Sequence, residues 1–337
     1  MAKANRAPTA YDVARLAGVS QATVSYVLNG RRGGKTRINE TTRQRILDAV
    51  AELGYVPNDT ARSLRRRRTD RICLLLPRLG SPFADVIAQD LQRVAAGRGY
   101  STVFAVGGSP EREELVLDQL RRGLADGLLD VVGLDGGILT PLVETGIAVV
   151  SFSNRTEPAG FDVVRSTVAE VSYHAVADLF ERGHQRVALI SHQPDAVVRD
   201  ERHDSYLRAL RDRGIAPDVR LIRGGAASRQ DAFHSTVGLL QLDDPPTAIF
   251  AESDVGAISA IWAIHDAGLR IPEDVAVIGV GNTPEGEITR PALTSIGPIS
   301  MDFSDVAELL MSRLAGEAPA AGRLHHRPWS LICRGSA

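Results

Sequence analysis

Cysteine is nearly absent: the 337-residue chain carries two, Cys73 and Cys333. They lie too far apart to make a Cys-x-x-Cys motif, so neither redox chemistry nor thiolate metal binding is expected. A reducing compartment fits. No run of about 18 apolar residues is uninterrupted, and the N-terminus lacks the apolar segment of a secretory signal. The expectation is a cytoplasmic protein with no membrane partner, metal or cofactor. Catalytic signatures are also missing. There is no Gly-x-Ser-x-Gly elbow and no phosphate-binding loop. Gly279-Val-Gly281 is only a fragment of a dinucleotide fingerprint, and the adjacent His325-His326 do not share a helix face as metal ligands would. An enzyme is therefore a distant alternative. Lysine is scarce, with 2 against 37 arginines. The bias runs through basic and acidic regions alike, so it reads as genome base composition.

The charge that is present is unevenly placed. The chain is near neutral overall, at -2, yet residues 1–71 carry 15 basic and 6 acidic side chains, a balance of +9. The remainder holds 24 basic and 35 acidic, a balance of -11. A basic head on an acidic body points to a polyanion that meets the head alone. Within that head, Tyr11 to Asn29 read YDVARLAGVSQATVSYVLN. Ala14, Gly18 and Val24 supply the small residue, the turn glycine and the packed apolar of a helix-turn-helix. Thr9 is placed to cap a helix from about Ala10 to Ala17, and Ser20 one from Gln21 to Leu28. Asn39 is placed to cap a third helix, Glu40 to Leu53, which Gly54 ends. Thr23, Ser25 and Asn29 put short polar groups on the second helix, which can lie in the major groove of DNA. Sequence-specific DNA binding is the implied function.

From Arg71 onward short apolar strands alternate with amphipathic helices, the pattern of parallel sheets covered on both faces. Val219–Ile222 is among the expected strands. A break near residues 165–170 divides this body into two similar α/β halves. A ligand in such an architecture belongs in the cleft at the carboxyl ends of the strands.

Together these residues resemble the lactose/galactose-repressor family of bacterial transcription regulators. The resemblance also rests on Thr42-Arg43, on Leu53 to Asn58, and on Ala61-Arg62-Ser63-Leu64. In the body it rests on Arg98-Gly99-Tyr100, Gly183-His184, Arg202 with Tyr206, Gly268 to Val275, and Arg334-Gly335-Ser336. The resemblance implies a small all-α helix-turn-helix head on an α/β, periplasmic-binding-protein-like body of two parallel-sheet subdomains. The expected head is 1–56, the hinge helix and linker 57–70, and the body 71–337. Residues 71–166 and 300–318 then form one half, and 167–299 and 319–337 the other.

The family also implies a homodimer, or a higher oligomer, that binds a near-palindromic stretch of double-stranded operator DNA, most simply as a repressor. Gln21, Ala22 and Tyr26 take the base-reading positions. Gln suits adenine and Ala a thymine methyl, whereas Tyr26 lacks the fork with which Arg reads guanine. Tyr11, Thr23, Ser25, Asn29 and Asn58 would hold the DNA backbone. In the hinge, Ala61 would lie in the minor groove and Leu64 would wedge between base pairs; packing of Leu64 on its own body is the other reading. The effector cleft is expected to include Arg202, Ser153, Ser253, Asp254, Gly281 and Asn282. Ser153 and Ser253 replace the Asp and Asn common in sugar-responsive members, and Gly281-Asn282 replaces an acidic pair. That favours an anionic or modified-sugar effector, with an ordinary sugar, or control by a protein partner and no small ligand, as alternatives. Arg202 would grip the ligand, unless it is bound in a salt bridge with Glu201 or Asp204.

Overall fold

The computed structural model describes residues 8–28, 38–56, 68–192 and 200–337. Asn29, Asn58, Ala61 and Leu64 lie outside the described residues. The chain divides into two compact units, Met1–Thr69 and Asp70–Ala337.

The head is three helices: α1 (Ala10–Ala17), α2 (Gln21–Leu28) and α3 (Glu40–Leu53). Their ends follow from local chemistry. Thr9 and Asp12 form a reciprocal capping box: the Thr9 amide donates to the Asp12 carboxylate at 2.9 Å, and the Asp12 amide to the Thr9 hydroxyl at 3.4 Å. Gly18, at φ 64°, makes the left-handed turn that an L side chain resists. Ser20 accepts the Thr23 amide at 3.2 Å, and Asn39 the Thr42 amide at 2.7 Å. Val13, Ala14, Ala17, Val24, Val27, Ile46 and Ala49 close into one small core.

In the body, β1 (Arg71–Leu76), α4 (Pro82–Gly97), β2 (Ser101–Val106), α5 (Pro110–Arg121), β3 (Gly127–Asp130), α6 (Gly136–Glu144), β4 (Ala148–Phe152) and β5 (Asp162–Ser166) build the first lobe. The second lobe holds α7 (Val168–Glu181), β6 (Val187–Ser191), α8 (Glu201–Arg211), β7 (Ile222–Gly224), α9 (Arg229–Leu240), β8 (Ala248–Ala251), α10 (Asp254–Asp266), β9 (Ala276–Val280), α11 (Pro284–Ile288) and β10 (Thr294–Pro298). The chain then returns through α12 (Ser304–Leu314), β11 (Leu324–Arg327) and β12 (Trp329–Ile332). The sheets run β11-β5-β4-β3-β1-β2 and β12-β10-β9-β8-β6-β7. All pairs are parallel except β10–β12. Central strands such as Ile72 to Leu76 are buried throughout because helices cover both faces. Each lobe has a core on either side of its sheet.

Two expectations need correction. Residues 324–327 pair with Leu324 opposite Val163 in the first sheet, so the second lobe resumes at β12, not at residue 319. The strand expected at Val219–Ile222 is instead a 3₁₀ turn over Val219–Leu221, capped by Asp218, followed by β7. The Asp218 carboxylate accepts the Arg220 amide at 2.9 Å, which winds the chain before it extends. Among the described residues, no helix is long and apolar enough to cross a membrane, and no group of His, Cys, Asp and Glu is placed to hold a metal ion.

Candidate DNA-reading helix and ligand cleft

In α2 the helical period separates two faces. Val24 and Val27 are buried in the head core, while Gln21 and Ala22 are exposed and Ser25 and Tyr26 half-buried. The positions expected to read bases thus share the outer side of a helix fixed from behind by two valines. Tyr11, on α1, is 59% exposed and free to reach a backbone. The Thr23 hydroxyl is within 2.8 Å of the Ser20 hydroxyl, so it also serves the helix start.

The body has a cleft of about 780 Å³ between its lobes. Its walls are the turns that leave the carboxyl ends of strands: Pro77 and Arg78 after β1, Val131 to Gly133 after β3, Ser153 to Thr156 after β4, and His192, Ser253 and Gly281 after β6, β8 and β9. Phe83, Phe152 and Trp329 supply an apolar side. The lobes join at three crossings, which polar contacts tie together. The Thr167 hydroxyl donates to the Trp329 carbonyl at 3.1 Å, and the Trp329 amide donates back to it at 2.9 Å. Arg327 reaches the Ser300 carbonyl at 2.9 Å and stacks over the Phe303 ring.

Arg202 lines the cleft, but it is not a free cation. Its Nε and Nη2 donate to the two carboxylate oxygens of Asp200 at 2.6 and 2.5 Å, and Nη1 donates to the Glu252 carbonyl at 2.7 Å. Burial alone would weaken both charges. The Arg202–Asp200 pair outweighs it, holding the Asp200 carboxyl well below its usual range and the guanidinium above its own. The partner is Asp200, not the Glu201 or Asp204 that the sequence suggested.

Ser153, Ser253 and Gly281 also border the cleft. Two of them are already engaged: Ser153 Oγ accepts the Thr156 amide at 3.1 Å, and Ser253 caps α10 by accepting the Gly256 amide at 3.0 Å. Asp254 and Asn282 are not part of the lining. Asp254 is buried and accepts the Ser295 hydroxyl and the Thr283 amide, both at 2.6 Å. Burial pushes its carboxyl pKa up, against those bonds. A Cβ on Gly279 would sit 2.4 Å from the Asp254 Oδ1, so the glycine of Gly279-Val-Gly281 makes room for a carboxylate rather than a phosphate. Asn282 is turned inward to the Pro298 carbonyl and the Arg334 guanidinium, at 2.9 and 2.8 Å.

Sequence reasoning missed three features here. Asp130, fully buried at the end of β3, accepts the amides of Val132, Gly133 and Leu134 and the Ser151 hydroxyl. It thereby shapes a wall of the cleft, and burial raises its pKa. Glu252, fully buried behind the cleft, accepts the His192 amide at 2.6 Å, with His203 Nδ1 3.4 Å away. Burial opposes its ionisation, yet the adjacent His192 and His203 and the Arg202 charge hold its pKa at about 2. Trp329 lies 5.4 Å from Phe83, ring to ring, across the lobes. Trp329 directly follows Pro328, and no periodic pattern marked it.

A helix-turn-helix head carried on a two-lobed, cleft-bearing α/β body defines a DNA-binding transcription regulator. Comparison with known proteins makes the assignment specific. Residues 9–58 match the model of bacterial regulatory proteins of the lacI family, and residues 176–337 a periplasmic binding protein-like domain. The chain is 31% identical to the HTH-type transcriptional regulator CelR of Thermobifida fusca, over 95% of each chain. It is also 31% identical to the HTH-type transcriptional repressor PurR of Aliivibrio salmonicida, over 91% of this chain and 92% of that one. A solved lac repressor dimer, bound to operator and the anti-inducer ONPF, superposes with TM-score 0.76 at 25% identity, covering 98% of this chain and 99% of the other. A CelR–cellobiose complex gives 0.66 at 28% identity, covering 98% and 100%. The chain belongs to the LacI family of transcription regulators.

Proposed function

We propose that this chain is a cytoplasmic repressor that holds a near-palindromic operator as a homodimer, with its grip set by a small molecule in the body cleft. The observation that carries the reading is α2 itself, whose buried valines leave Gln21, Ala22, Ser25 and Tyr26 on its outer side. Gln21 pairs with an adenine edge, Ala22 touches a thymine methyl, and Tyr26 donates one hydrogen bond or packs on a methyl. Tyr11, Thr23 and Ser25, with Asn29 and Asn58, fix register on the phosphates. In the hinge, Ala61 and Leu64 enter the minor groove at the operator centre, where the wedge unstacks a step and bends the duplex.

A ligand controls DNA binding only by binding one arrangement of the body better than the other. The cleft suits this because its walls come from both lobes, between which the chain crosses three times. Support comes also from the solved CelR–cellobiose complex and from the lac repressor dimer bound to operator and the anti-inducer ONPF. Binding, not catalysis, is the role: the relatives are regulators. The effector is an anionic molecule or a modified sugar, given the serines at 153 and 253 and the inward-turned Asp254. Selection of bound sequences from random double-stranded DNA tests the reading. A palindrome with a fixed centre is the expected product, and a pool with no enriched sequence contradicts it.

A further inference from the structure

We propose that the body cleft takes a sugar acid, whose carboxylate is held by Arg78. This rests on the reading of the cleft as an effector site and adds the chemistry of the effector.

Among the described residues four arginines border the cleft, and three are paired with carboxylates. Arg202 holds Asp200 through two bonds. Arg327 grips both oxygens of Asp305 at 2.8 and 2.9 Å. Arg155 lies 3.7 Å from Glu201. Arg78, in the turn from β1 to α4, is different. Among the described residues its one hydrogen bond goes to the Gly80 carbonyl, at 3.4 Å, and no carboxylate is within ion-pair range. Burial lowers its pKa, and Asp85 counters this only at a distance. A guanidinium stays protonated in proteins, so Arg78 has lost part of its water and, among the described residues, has no carboxylate within ion-pair range to replace it. An entering anion supplies that charge, and guanidinium matches a carboxylate with two parallel bonds.

The rest of the wall suits a hydroxylated carrier for that carboxylate. Glu201 is occupied by Asn154 Nδ2 at 2.7 Å, and Asp200 by Arg202. Among the described carboxylates of the lining, Asp135 is the exposed one: Oδ1 caps α6 on the Gly137 amide at 2.7 Å, which leaves Oδ2 to accept ligand hydroxyls. Phe83 and Trp329, 5.4 Å apart and inclined at 57°, offer apolar faces to the C–H side of a sugar ring. A neutral hexose could use the aromatic faces and Asp135, but it would leave Arg78 uncompensated.

Calorimetric titration of the full chain with D-gluconate, D-glucuronate and D-galacturonate, against D-glucose and D-galactose, tests this. At least one acid should bind more tightly than either neutral sugar. Arg78→Gln should weaken it by about 30-fold or more, as expected when a desolvated charge pair loses one partner. Arg78→Lys, which keeps the charge, should recover part of the loss. Three results overturn the assignment: no acid binding up to about 10 millimolar, equal acid affinity in Arg78→Gln, or tighter binding of a neutral sugar. Operator affinity measured in the same samples separates the two claims. A neutral sugar that binds more tightly than every acid and shifts it overturns the sugar acid and leaves ligand control standing. An acid that binds through Arg78 without shifting it sustains the assignment and overturns the control.

Discussion

Replacing Glu252 by glutamine should destabilise the body at neutral pH, by an amount that shrinks in acid. The carboxylate is fully buried and takes hydrogen bonds from the Ser191 hydroxyl and the His192 amide, beside the His203 and His192 rings. Its pKa falls from 4.5 to about 2 on folding. Each pKa unit corresponds to about 1.36 kcal/mol, so the depressed pKa contributes about 3 kcal/mol of stability. A depressed carboxyl pKa gives stability that is complete above the unfolded value, near 4.5, and is lost as pH falls toward the folded value, near 2. Glutamine carries no charge and cannot titrate, so the variant lacks that contribution at every pH. Urea unfolding of the body, followed by tryptophan fluorescence, should show Glu252→Gln about 2–4 kcal/mol less stable at pH 7. The gap should narrow between pH 4.5 and the acid limit of the fold. A variant as stable as the wild type at pH 7, or a gap that widens as the pH is lowered, would refute the reasoning.

Ile46→Ala removes the largest side chain wholly enclosed in the head core and should cost about 2–5 kcal/mol. Circular dichroism should show the head melting at a much lower temperature while the body transition, in its own compact unit, stays in place. Gln21→Ala should relax preference at one base pair of each half-site by about 1–3 kcal/mol, read as a change in the selected sequence. A uniform loss on all sequences would move Gln21 to the backbone contacts. Leu64→Ala should retain the folded body yet lose most operator affinity in a titration at fixed salt; unchanged affinity rejects the wedge.

Much of the fold was legible because local chemistry decides it. Thr9, Ser20 and Asn39 cap the head helices, and Gly18 and Gly54 turn them, since each satisfies or frees the backbone next to it. The apolar strands were equally plain. What escaped was short or depends on distant partners. β11 reads Leu-His-His-Arg and owes its place to pairing with β5 and to contacts of His325 and Arg327 with Asp305, twenty residues or more away in sequence. Helix α6 contains Gly136, Gly137 and Pro141, all of which argue against a helix, yet the Asp135 cap starts it and Leu139 and Leu142 anchor it in the core.

The cleft was half legible for the same reason. The family resemblance pointed to Arg202, Ser153, Ser253 and Gly281, and all four lie on its walls. The inward turn of Asp254 and Asn282 depends on Ser295, Thr283 and Pro298, which no spacing connects to them. The neutralisation of Arg202 by Asp200 depends on a side-chain fork closing back across the start of α8, and Arg78 stands out only once the other arginines are seen to be paired.

The central claim is that two copies of the head read two halves of one DNA site. Its most direct test compares the full chain on its selected duplex with the same duplex carrying one scrambled half-site, at fixed salt. The account predicts a loss of about a thousand-fold or more, since one head is left with non-specific contacts. Equal affinity for the two duplexes would contradict it.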